Sequence, residues 1–145
     1  MIVELIVSLI VVFSSIGIYF WWTGTPPGAR IIEQTPPTSS SLDDNQANFM
    51  FFYTSWCPYC KSAKQPFYSL KQLIENARYT YGGKTVSFEE INAETDKGKA
   101  ALYNIQAYPT FKVQTSTKVY EMLGKPTVAN FREFLNKALG DEKVS

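Results

Sequence analysis

Both cysteines of the 145-residue chain fall in one hexapeptide, Trp56-Cys57-Pro58-Tyr59-Cys60-Lys61. The apolar run Phe49-Met50-Phe51-Phe52-Tyr53 precedes it and helical periodicity follows, so a strand, a short loop and a helix start deliver Cys-x-x-Cys to the first helical turn. A helix N-terminus presents unpaired N–H groups and the positive end of the peptide dipole. A thiolate is stabilised there, which makes Cys57 the expected nucleophile, exposed to its partners. Cys60, one turn on, is expected to be buried. Once Cys57 has opened a partner's disulfide, Cys60 can attack the mixed disulfide and release the partner. The pair then cycles between dithiol and disulfide.

Other readings fit these residues less well. A structural disulfide across so short a loop removes little unfolded-state entropy. A metal site needs about four ligands, and a chain without histidine or a third cysteine has no Cys/His set to offer. No metal and no cofactor is expected. Two unrelated buried thiols are disfavoured by the spacing and by the strand-loop-helix context.

The elements that must hold the pair follow from periodicity. Ala63, Phe67, Leu70, Ile74 and Ala77 recur at steps of three and four, which predicts a helix to about Arg78, kinked at Pro66. Gly82-Gly83 marks a turn, Thr85 to Ile91 alternates as a strand, and Glu94 to Tyr103 reads as a short helix with Ala100, Ala101 and Leu102 inward. Phe111 to Gln114 and Val119 to Met122, joined by Thr115-Ser116-Thr117, form a hairpin. Thr127 caps a last helix that buries Phe131, Phe134, Leu135, Ala138 and Leu139 and stops at Gly140. This order requires an α/β domain: a mixed sheet of about four to five strands with helices on both faces.

Composition admits one such domain. With 45% hydrophobic and 15% aromatic residues the chain can build a modest core. Its net charge of +1, with no basic run, gives no reason to expect nucleic acid. Residues 1–22 are apolar except for Glu4, Gly17 and three serines, a length that matches the roughly 20 residues of a membrane-crossing helix. Tyr19, Trp21 and Trp22 would sit at an interface. A cleaved signal peptide would bring a basic start and a small-x-small site, and neither is present. Residues 23–47, rich in Pro, Ser and Thr, read as a spacer. Within it Arg30-Ile31-Ile32-Glu33 could be a short first strand and Ser41 to Asp44 one helical turn. The domain is then 48–140 and the tail 141–145.

Phe52-Tyr53-x-x-Trp56-Cys57-x-x-Cys60-Lys61 resembles the active-site segment of thioredoxins and protein disulfide isomerase domains, while Pro58-Tyr59 between the cysteines resembles glutaredoxins. The stretch from Ile91 through Tyr103-Asn104-Ile105 to Tyr108-Pro109-Thr110, and Gly124 after the last strand, are also similar to thioredoxins. The resemblance covers about Phe49 to Leu139 and implies a thioredoxin fold, a cis peptide at Pro109, and a docking surface for extended substrates shaped by Trp56, Tyr108 and Pro109. Pro58 and Tyr59 would tune the redox pair. Two departures stand out. The family's kink proline follows the second cysteine by five residues, whereas Pro66 follows Cys60 by six. The family also places a buried acid six residues before the first cysteine, where this chain has Phe51, and a lysine on the facing strand, where it has Glu90. Glu90 is either a surface residue or a substitute proton relay.

The resulting expectation is a membrane-tethered thiol-disulfide oxidoreductase acting on disulfides or dithiols of proteins and recharged by a redox partner. A lone N-terminal span before a translocatable domain favours a lumenal or extracytoplasmic site. The glutathione-binding segments of glutaredoxins are missing beyond Pro109, which leaves a glutathione-dependent reductase as the second reading. A non-catalytic binding module is the third. The direction of electron flow stays open.

Overall fold

The computed structural model of the chain describes residues 1–23, 30–37 and 41–145, with the side chains of 19–23 and 30 outside that description. Helix α1 (Ile2–Thr23) is followed by β1 (Arg30–Gln34), β2 (Gln46–Tyr53), α2 (Pro58–Ala77), β3 (Tyr79–Tyr81) and β4 (Thr85–Asn92). Then come α3 (Lys97–Leu102), β5 (Thr110–Gln114), β6 (Val119–Leu123), α4 (Val128–Leu139) and β7 (Glu142–Val144). Five strands form one sheet in the order β1-β6-β5-β2-β4, with β2 parallel to β4 and the other pairs antiparallel.

The strand that leads to the cysteines is buried on both faces, which is why it reads as an unbroken apolar run. Ala47, Phe49 and Phe51 join one core cluster, with Ala63, Phe67, Leu70 and Ile74 of α2 and Phe131, Phe134 and Leu135 of α4. Met50 and Phe52 join the other, with Ile91, Val119 and Tyr103 at the end of α3. Helices therefore cover both faces, as the element order requires. Phe51 stacks on Phe111 of β5, with ring centroids 4.8 Å apart and 10° between planes. Phe49 meets Phe67 and Phe131 at 5.6 and 5.5 Å. Aromatic pairs of this kind contribute about 0.5–1.5 kcal/mol each beyond the area they bury, so the base of α2 is held by rings rather than by polar contacts.

Among the described residues one charged side chain lies inside. Lys112 of β5 is 0% exposed, and its ammonium meets Glu121 at 3.0 Å, Gln34 Oε1 at 2.9 Å and the Tyr103 carbonyl at 2.9 Å. These partners lie on β6, on β1 and just after α3, so a single cation ties three elements to the sheet.

The short first strand anticipated at Arg30 to Glu33 is present as the edge strand β1, paired antiparallel with β6. Other expectations need correction. Ser41 to Asp44 is not helical; the Gln46 N–H bonds the Asp43 carbonyl and a turn leads straight into β2. The short helix begins at Lys97 rather than Glu94, because Asn92 holds the intervening turn by accepting from the Glu94 and Asp96 N–H groups, and Asp96 caps the helix at the Lys99 N–H. Ala100 is buried there, but Ala101 and Leu102 face solvent. Pro66 lies within α2, which continues to Ala77.

The tail is also structured. Residues 142–144 pair antiparallel with 79–81 as a two-stranded sheet that periodicity did not predict. Gly82 makes this possible: at φ 57° it lies so close to the end of α4 that a Cβ would sit 1.8 Å from the Leu139 carbonyl oxygen. Behind it the Tyr81 hydroxyl and the Arg132 guanidinium converge on the Glu142 carboxylate. The guanidinium holds the Glu142 carboxyl below the usual carboxylate range, and burial together with the carboxylate raises the Tyr81 phenol.

Among the described residues no helix is long and apolar enough to cross a membrane. The described side chains of α1 end at Ile18, and its aliphatic residues from Ile2 to Ile18 stand exposed rather than packed on the domain. The interfacial aromatics Tyr19, Trp21 and Trp22 and the spacer stretches at 24–29 and 38–40 lie outside the described residues.

Candidate active site

β2 ends at Tyr53, the chain turns through Thr54, Ser55 and Trp56, and Cys57 becomes the N-cap of α2 with extended backbone (φ −80°, ψ 114°). Pro58 occupies the first helical position, where its missing N–H is no loss and its fixed φ suits the helix. The cap is chemical as well as structural: Cys57 Sγ accepts the Cys60 N–H at 3.1 Å, the donor that an oxygen would take at an ordinary N-cap. That N–H is one of the unpaired groups that favour negative charge at a helix start.

Both cysteines are free thiols, and both are buried, Cys57 at 3% and Cys60 at 1% exposure. Cys60 is where the expectation placed it. Cys57 was expected to be exposed, and this is corrected: bending back to accept the Cys60 N–H draws its sulfur into the same cluster as Ala63 and Phe67. The flanking aromatics carry the exposure instead, with Trp56 at 69% and Tyr59 at 76%. Burial, then the hydrogen bond to Cys57, push the Cys60 thiol up to about 11, against the opposing pull of the Thr54 backbone N–H.

The Tyr108-Pro109 peptide is cis, and Tyr108 packs against both core clusters. Beside it lies an apolar groove of about 670 Å³, whose lining includes Tyr59, Ser62, Pro109, Phe111, Met122 and Lys125. The groove thus runs from the dipeptide between the cysteines, past the cis-proline, to the loop after β6. Spacing along the chain gave no hint that Met122 and Lys125 would belong to it.

Glu90 does not join the thiols. It pairs in register with Phe51 but is exposed, and it accepts the Tyr68 hydroxyl at 2.6 Å. A different carboxylate reaches the active-site loop: Glu94 accepts both the N–H and the hydroxyl of Ser55, two residues before Cys57. Those two donors hold the Glu94 carboxyl below the usual carboxylate range. Sequence reading missed Glu94 because it looked like the start of a helix. Among the described residues no group of His, Cys, Asp and Glu is placed to hold a metal ion.

A mixed sheet covered on both faces, with a dithiol at a helix start beside a cis-proline, defines a thioredoxin-fold domain with a Cys-x-x-Cys centre. The family model described as Thioredoxin matches residues 38–137, and the chain belongs to that family. It is 26% identical over 109 residues to DnaJ homolog subfamily C member 10 of Homo sapiens, covering 75% of this chain and 13% of that protein. To a protein disulfide-isomerase of Schizosaccharomyces pombe it is 24% identical over 107 residues, covering 70% of this chain and 28% of the relative. The chain therefore spans only a small part of these relatives. In fold it is similar to human ERp44, with a TM-score of 0.57 and 19% identity over 68% of this chain and 29% of that one.

Proposed function

We propose that this chain is a thiol-disulfide oxidoreductase that exchanges disulfides with protein substrates through Cys57 and Cys60. The observation that carries the reading is the Cys60 N–H donated to Cys57 Sγ at the first turn of α2, 3.1 Å away, next to the cis Tyr108-Pro109 peptide and its groove. The sulfur takes a donor that a helix start otherwise leaves unpaired, and from there it is placed to attack a disulfide. Cys57 attacks one sulfur of the substrate disulfide, the substrate's S–S bond breaks, and the other substrate sulfur leaves as a thiolate. Cys60 then displaces the bound substrate, and a second dithiol or disulfide partner resets the centre.

The substrate reaches Cys57 between Trp56 and Tyr59, and its flanking residues lie along the groove. Kinship with a protein disulfide-isomerase supports protein disulfides or dithiols as the substrate class. α1 tethers the domain to a membrane with the active site on the extracytoplasmic side. In support, α1 carries one charged residue, Glu4, and the aliphatic side chains described along it are exposed.

Trapping tests the chemistry. Cys60→Ser should accumulate covalent mixed disulfides that dissolve on reduction, and Cys57→Ser should accumulate none. Equal yields from the two variants would overturn the assignment of roles. Alkylation of the cysteines in sealed and opened vesicles tests the topology, since thiols that react from the cytosolic side without opening would reverse it.

A further inference from the structure

The groove beside the cis-proline is apolar at its base and charged at its far end. Phe111 and Met122 form the base, 3% and 5% exposed, and Tyr59 and Pro109 line the side toward the cysteines. Phe111 is held by its stacking on Phe51 and by Phe131, whose ring centroid is 4.7 Å away. Met122 is unbranched and polarisable and adapts to what it meets. Such a base takes a bulky apolar or aromatic side chain.

Among the described residues that line the groove, Lys125 alone is charged. Its backbone is pinned, because its carbonyl accepts the Thr127 N–H at 2.9 Å and the Asn130 side-chain amide at 3.0 Å. Thr127 in turn caps α4 by accepting the Asn130 N–H, so the lysine stands on the start of a helix. Its side chain is exposed, and among the described residues its ammonium has neither an ion pair nor a hydrogen bond.

The groove brings no carboxylate of its own to that cation. Glu94 holds Ser55, Glu90 holds Tyr68, and Glu121, next to Met122 on β6, serves Lys112. The opposite rim is positive as well: Ser62 of the lining lies between Lys61, which is exposed, and Lys64, whose ammonium stands 4.5 Å over the Tyr53 ring. A lysine lays its methylenes along apolar surface and keeps its head in water. Beside apolar walls the effective dielectric falls, so a charge that meets the ammonium there counts for more than in open water.

Resting on the exchange reaction proposed above, we propose that Lys125 is a specificity-determining residue that selects acidic substrate segments. The segment flanking the substrate's cysteine places an apolar or aromatic side chain on Phe111 and Met122, and an aspartate or glutamate beside it on the Lys125 ammonium. Lys125 meets the substrate away from the reacting sulfurs, so it acts on capture and not on the exchange itself.

The test uses the full chain and short peptides, each with one cysteine joined by a disulfide to a coloured aromatic thiol. Cys57 Sγ bonds to the peptide sulfur, the probe's S–S bond breaks and the aromatic thiolate leaves with the electron pair. Cys60 then displaces the peptide as its thiol, so the two cysteines are oxidised and the probe is reduced to two thiols. Every peptide carries one phenylalanine, and a glutamate, glutamine or lysine beside it, the pair being walked outward from the cysteine on either side. At one position of the walk, kcat/KM should favour glutamate over glutamine by about two- to fivefold, the range of a solvent-reached ion pair, and over lysine by about tenfold. The preference should lie in KM and shrink in high salt. Lys125→Gln should erase it and Lys125→Glu should reverse it. Because each variant is read as a ratio between peptides, a general loss of activity cancels. A preference that survives Lys125→Gln, or that Lys61→Gln erases instead, would overturn the proposal, as would thiolate release with no charge preference at any position. No release by the wild type from any peptide would overturn the exchange reaction and this proposal with it.

Discussion

Replacing Glu121 by glutamine removes one charge and keeps the shape, and it isolates what the buried cation of β5 needs. Lys112 is 0% exposed, whereas Glu121 is 22% exposed, so the pair is half dry. At 3.0 Å and an effective dielectric of about 20, the gross attraction is roughly 5 kcal/mol. Part of that is offset by the desolvation of the lysine. Breaking a buried pair from one side typically costs about 3–5 kcal/mol. Here the Gln34 and Tyr103 oxygens still receive the ammonium and water reaches the carboxylate, so Glu121→Gln should lose about 2–3 kcal/mol. Lys112→Met behaves differently, because it removes the buried charge itself and leaves Glu121 near solvent. It should stay within about 1 kcal/mol of the wild type or exceed it. Urea denaturation followed by circular dichroism reads both. With a slope of about 1–1.5 kcal/mol per molar for a domain of this size, the Glu121→Gln midpoint should fall by about 2 M. A midpoint for Glu121→Gln within about 0.3 M of wild type, together with a large loss in Lys112→Met, would refute the reasoning. Lys112 would then act through its aliphatic stem rather than through its charge.

Two further outcomes follow from the same geometry. Gly82→Ala places a methyl group 1.8 Å from a backbone oxygen at a positive φ, so the contact between α4 and the 79–81 strand must open. Destabilisation of about 2 kcal/mol or more is expected, with increased hydrogen exchange at 79–81 and 142–144. Glu94 has a folded-state value held below its unfolded one, so its contribution to stability is present above pH of about 4.3 and is lost as pH falls through the lower folded value. Glu94→Gln should remove that part of the acid dependence and loosen Ser55 near Cys57. An unchanged acid-unfolding profile would show that the Ser55 contact does not hold the loop.

Much of the scaffold was legible because its signals are local. The step of three and four from Ala63 to Ile74 names the buried face of α2 without reference to any partner. Thr127 and Gly140 bracket α4 because an N-cap oxygen and a helix-ending glycine act within a few residues. The Cys57 and Cys60 pair was equally plain, since one helical turn is all the separation the exchange chemistry needs. Glu94 was misread for the opposite reason. Its residue type fits a first helical turn, and what decides its position is Ser55, 39 residues away in sequence.

By itself, then, the sequence determined a dithiol at a helix start, the apolar strand behind it, and a mixed sheet with helices on both faces. Periodicity, capping and spacing are properties of neighbours along the chain. The tertiary structure alone decided that Cys57 turns inward, that β1 closes the edge of β6, and that the last residues pair with β3. It also decided that a lysine lies in the core and that the Thr54 hydroxyl is buried without a hydrogen-bond partner among the described residues. Each of these depends on atoms brought together from distant positions, where burial and the supply of hydrogen-bond partners are set by packing and not by sequence order.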